Sequence, residues 1–65
     1  MLYERIREYL NKNRIPYSAV AEKIGKPLPI FSNMVNGKRK IEAEEYFAIC
    51  VALKVSVSFF VENVA

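Results

Sequence analysis

The chain is cut into short pieces by its own breakers, and this limits what it can fold into. Its only prolines are Pro16, Pro27 and Pro29, and its only glycines are Gly25 and Gly37. All five lie in the middle of the 65 residues, so two longer stretches flank a segmented centre. A proline disfavours helical geometry in the residue before it, and a glycine readily takes the left-handed conformation that closes a helix. The pieces between the breakers carry apolar residues at the helical period, which predicts several short helices.

The first helix is expected over residues 2–13. Leu2, Ile6, Tyr9 and Asn13, with Tyr3 and Leu10 beside them, form its apolar stripe, and Glu8 and Lys12 are spaced to pair on the other side. The run Asn13-Arg14-Ile15-Pro16 ends it. A second helix is expected over 17–24 with Val20, Ala21 and Ile24 inward, stopped by Gly25. A third runs over 28–35 with Phe31, Met34 and Val35 inward, and Pro27 and Pro29 fall at its start, where missing amide protons matter least. Asn36-Gly37 stops it, and Lys38-Arg39-Lys40 forms an exposed loop.

The fourth helix is expected over 42–53, with three glutamates near its positive end. Tyr46, Ile49, Cys50 and Leu53 mark its inner face. After a break at Val55-Ser56, a fifth short helix over 57–62 is expected to turn Phe60 inward. Residues 55–61 also alternate in the manner of a strand. A lone strand has no partner in an otherwise helical chain, so the helix is preferred.

Composition narrows the function. Hydrophobic residues make up 52% of the chain, enough for one compact core and too many for a disordered tail. A single cysteine excludes an internal disulfide and has no zinc-type spacing around it, so Cys50 reads as a small core residue. The charged start, Met1-Leu2-Tyr3-Glu4-Arg5, lacks the apolar stretch of a secretory signal. Lys54 divides the apolar run from 46 to 61, which is too short to span a bilayer. A cytoplasmic protein is expected. Histidine, aspartate and tryptophan are absent. The usual base, triad and metal-ligand sets are therefore missing, and no enzymatic activity, cofactor, metal or small-molecule ligand is expected.

The net charge of +3 says less than its distribution. Between residues 12 and 40 lie Lys12, Arg14, Lys23, Lys26, Lys38, Arg39 and Lys40, against Glu22 alone. From residue 41 onward Lys54 stands alone against Glu42, Glu44, Glu45 and Glu62. A basic centre suits a polyanion, but charge needs a motif before it points to one.

The motif lies in the same segment. Ala21 is small, Gly25 follows four residues later, and Phe31 comes six beyond that. A small residue lets a following helix cross close over it, the glycine supplies a positive φ for a sharp turn, and the bulky residue anchors the second helix on the first. This is the helix-turn-helix spacing. With Asn36-Gly37-Lys38-Arg39-Lys40-Ile41 and the closing Ile49-Cys50-Val51-Ala52-Leu53…Val55-Ser56, the chain resembles the Xre/Cro/phage-repressor family of transcriptional regulators over essentially its whole length.

The resemblance implies an all-α, compact five-helix bundle of the lambda-repressor-like DNA-binding type, in a single domain over 1–65. Its third helix would enter the major groove of double-stranded DNA. Carried over by position, Leu28, Pro29, Ser32 and Asn33 would meet base edges, with Asn33 best suited to a bidentate contact to adenine. Tyr17, Ser18, Lys26, Asn36, Lys38, Arg39 and Lys40 would meet phosphates. The resemblance further implies a homodimer on a near-palindromic operator, with Val57, Phe59 and Val61 at the dimer contact. A Cro-like repressor, bacterial or phage-encoded and nucleoid-associated, is the function implied.

Five positions depart from the family pattern. Pro27, Leu28 and Pro29 replace polar or basic residues, which points either to shape-dominated readout or to a helix whose apolar edge meets a protein partner, as in an antirepressor or antitoxin-like module. Pro16 takes an N-cap position where a hydroxyl or amide is usual. Lys54 stands where glycine is common, at a cost of roughly 1 kcal/mol for a left-handed residue.

Overall fold

The structure, a computed structural model, describes residues 1–61. Four helices succeed one another: α1 (Leu2–Lys12), α2 (Tyr17–Ile24), α3 (Leu28–Val35) and α4 (Ala43–Leu53). No strand occurs among the described residues, so the chain is all-α and the strand reading of the tail fails.

Local chemistry accounts for each boundary. In α1, Ile6 and Leu10 lie one turn apart and are fully buried, while Leu2 and Tyr9 pack at the edge. Asn13 does not join that stripe. It is exposed, and its amide donates to the Tyr9 carbonyl at 2.8 Å, closing the helix end. Arg14 then takes a left-handed φ of 55°, which lets the Ile15 amide donate to the Leu10 carbonyl at 2.8 Å. Glu8 and Lys12 are both exposed and form no ion pair among the described residues.

Pro16 precedes α2 in an extended conformation, and the first turn has no side-chain cap. Gly25, at φ 74°, ends α2, and the Gly25 and Lys26 amides donate to the Glu22 and Ala21 carbonyls at 3.2 and 3.0 Å. Pro29 falls in the first turn of α3, where no amide proton is needed. Glu42 is the N-cap of α4 rather than its first residue. Lys54 closes α4 in the left-handed region at φ 59°, at a position that glycine fills more cheaply.

α2 packs against both α3 and α4, and α1 packs against α3. Ile6, Leu10, Val20, Ala21, Phe31, Met34, Val35, Ile49, Cys50 and Phe60 make the core. Each large member contributes about 1.5–3 kcal/mol by leaving water. The Cys50 thiol is free and buried among them.

The expected fifth helix over 57–62 is not found in its described part, and Glu62 lies outside the described residues. Residues 57–61 form successive turns, with the Phe59 and Val61 amides donating to the Ser56 and Ser58 carbonyls three residues back. Carbonyls that would extend a helix are engaged elsewhere. The Tyr46 hydroxyl donates to that of Val57, and Arg5 donates to that of Phe60 at 3.0 Å. Phe60 still reaches the core, edge-on to Tyr9, Tyr46 and Phe59. Among the described residues, no helix is long and apolar enough to cross a membrane.

Candidate nucleic-acid interface

The α2–α3 pair carries the Ala21, Gly25 and Phe31 spacing. Ala21 and Phe31 are buried, Gly25 is left-handed, and the Tyr17 ring stacks edge-on to Phe31 with centroids 5.9 Å apart. The opposite side of α3 stays open. Leu28 is 45% exposed, Pro29 and Asn33 are exposed, and Ser32 is half-buried. Leu28, Pro29, Ser32 and Asn33 thus share one helix, and no described segment covers the outer side of Pro29 and Asn33.

The loop after α3 folds back onto the end of that helix. The Lys38 and Arg39 amides both donate to the Asn33 carbonyl, at 2.9 and 3.3 Å, which holds the exposed Lys38 beside Asn33. Gly37 makes this possible. Its φ is 76°, and a Cβ placed there would lie 2.5 Å from the Tyr3 ring. No side chain fits.

The seven residues expected at phosphates do not behave alike. Lys38, Lys40 and Ser18 are exposed, and neither lysine is paired among the described residues. Tyr17 is half-buried, its ring occupied by Phe31. The Asn36 amide is committed within the chain: it donates to the Ser32 carbonyl at 2.7 Å and accepts from Arg7 at 3.2 Å. Lys26 and Arg39 are held by one carboxylate, that of Glu45. Arg39 grips both its oxygens at 3.0 Å, and Lys26 Nζ sits 2.9 Å from Oε2.

Glu45 also accepts the Glu42 amide at 2.9 Å. The Arg39 guanidinium, the Glu42 amide and the Lys26 ammonium together hold its carboxyl down to about 2, well below the ordinary carboxylate range. Reciprocally, the hydrogen bond to Glu45 raises the already high pKa of Arg39. The hub ties the α2–α3 turn, the 36–42 loop and the start of α4 together, and it spends two of the expected phosphate-binding cations in doing so.

Arg7 is a basic residue that sequence reasoning missed. It lies over the Tyr3 ring at 5.9 Å and contacts Asn36, which brings its charge to the C-terminal end of α3. Its position on α1 carries no local signal of that proximity. Val57, Phe59 and Val61 are exposed at 52%, 41% and 37%, although the Phe59 ring also packs on Tyr9 at 5.2 Å. No cluster of three metal-ligating side chains occurs among the described residues. Comparison with protein-family models, curated proteins and solved structures finds no match to this chain.

Proposed function

We propose that this domain binds double-stranded DNA in a sequence-preferring way and acts as a repressor-like transcriptional regulator, with α3 in the major groove and two copies on a near-palindromic site. One observation carries the reading: α3 is braced from behind by Ala21 and Phe31, while its outer side is bare, Lys38 is held at its end and the exposed Lys40 follows two residues on. A duplex offers phosphates on either side of a groove, and such an edge-charged helix suits it. Asn33 is the direct reader, while Leu28 and Pro29 contribute apolar contacts such as those to a thymine methyl. Ser18 and the uncapped start of α2 supply a further phosphate contact.

The locked pair Lys26 and Arg39 contributes field but little counterion release, because Glu45 already neutralises part of its charge. Lys38, Lys40 and the start of α2 leave about three phosphate contacts per copy, and log affinity falls with log salt at ~0.9 per contact. Selection from a random duplex library, followed by titration at several salt concentrations, tests this. An enriched half-site and a salt-dependent affinity are expected. Binding without salt dependence, or no enrichment, rejects it.

The exposed Leu28 and its flanking prolines favour a second reading, a protein-interaction module on the same scaffold. Pull-down with nuclease treatment separates the two, since a DNA-mediated catch vanishes and a direct protein contact persists.

A further inference from the structure

The outer face of α4 carries an apolar stripe that nothing in the described chain covers. Phe47 is 51% exposed and Val51 76%, one turn apart, with the small Ala48 between them. Glu44 stands before this stripe and Lys54 just after it, both exposed and neither in an ion pair among the described residues. Glu44, Phe47, Ala48 and Val51 fall at i, i+3, i+4 and i+7, which is a packing face without a partner. Beside it, Lys23, Ala48, Val51, Ala52 and Lys54 line a shallow hollow of about 430 Å³. Phe47 is not among its lining residues.

We infer that this face pairs with the same face of a second copy, the two α4 helices running antiparallel across a two-fold axis. The contact takes up the two-copy part of the function proposed above, on which it rests, and seats it on α4 instead of on Val57, Phe59 and Val61. An isologous contact requires a surface that complements itself. This one does. In the antiparallel register that sets Phe47 of one copy against Val51 of the other, Glu44 meets the partner copy's Lys54, and the two-fold axis repeats both pairs at the other end. The aromatic knob then enters the hollow beside Val51, whose rim lysines, Lys23 and Lys54, favour an aromatic face.

Lys54 enters the same contact from the end of the helix. It occupies a left-handed helix end at φ 59° that glycine would fill without strain. In the pairing, its side chain gains the ion pair to Glu44 of the other copy. The contact is small. Eleven residues of helix are about 16 Å long, so the buried area stays below the roughly 1,200–2,000 Å² of tight complexes, and association belongs at the micromolar end.

Sedimentation equilibrium of the full chain without DNA tests the pairing, with circular dichroism confirming that each variant keeps its helices. The wild-type chain should dimerise, and Val51→Glu should be monomeric. Glu44→Lys and Lys54→Glu should each weaken self-association at least about tenfold by setting like charges together. Mixing those two variants should restore dimers, since every cross-pair then has opposite charges. A wild-type chain that stays monomeric to millimolar concentration overturns the pairing. So does a mixture that forms no heterodimer, or a dimer abolished by Phe59→Ser but indifferent to the α4 changes. DNA binding is scored separately, so a dimer without DNA affinity sinks the proposed function and leaves this contact standing.

Discussion

The two ends of α3 are built from opposite materials. At the start, Pro27, Leu28 and Pro29 present carbon to solvent, and the nearby cation, Lys26, is drawn away to Glu45. At the finish, Asn33 and Lys38 stand exposed beside each other, with Arg7 close by through Asn36. The turns differ as well. Gly25 has open space where a side chain would go, whereas Gly37 lies against the Tyr3 ring. If the proposed function holds, the difference assigns affinity for a polyanion along α3 to its C-terminal end, while its N-terminal end contributes shape.

The largest effect that would sharpen this contrast comes from the glycines. Gly37→Ala must adopt a strained φ and displace Tyr3, so thermal denaturation should show a loss of about 2–3 kcal/mol. Gly25→Ala meets only the strain, about 1 kcal/mol. Equal losses would mean that the Tyr3 contact is loose.

Next come the lysines. Lys38→Ala with Lys40→Ala should lower duplex affinity on the order of tenfold near 0.1 M salt and reduce the salt slope by about 1.8. Lys26→Ala with Arg39→Ala should change that slope by less than half as much, because Glu45 already holds both. A reversed ranking in the titrations breaks the comparison.

A smaller effect belongs to the hub itself. Glu45→Gln should lower the melting temperature by a few degrees at neutral pH and raise non-specific DNA affinity by releasing two cations. The folded carboxyl titrates at about 2 against an ordinary value of 4.5. Its contribution is therefore complete above about pH 4.5 and lost as pH falls towards 2. The gap between wild type and variant should close over that window. A gap that persists at pH 2 would show that something other than ionisation maintains it. Smallest of all, Leu28→Ala should leave stability within about 0.5 kcal/mol and the salt slope unchanged.

Much of the fold is legible from local signals. The ranges of α2 and α3 follow directly from Pro16, Gly25, Pro27 and Asn36, since each breaker acts within a few residues. The outer residues of α3 follow from its period once Phe31 is placed inside. What escapes is long-range. Glu45 reads in sequence as a charge suited to a helix start, and nothing there reveals that Lys26 and Arg39 converge on it. Arg5 gives no sequence sign of a distant partner, yet it donates to the Phe60 carbonyl 55 residues away. The tail misleads for a related reason: its inward Phe60 is correct, but side chains from α1 and α4 take the carbonyls a helix would use. Phe47 and Val51 pass unnoticed because apolar residues in a helix rich in them give no hint of which face lacks a neighbour.

That tail sets an order on the making of the protein. Phe60 plugs a core whose other walls are complete by Cys50, and its latch comes from Arg5, near the opposite end of the described chain. During synthesis the bundle must wait, with one side unsealed, until residue 60 has emerged. A product ended a few codons short of residue 60 would contain the segments of all four described helices and no stopper.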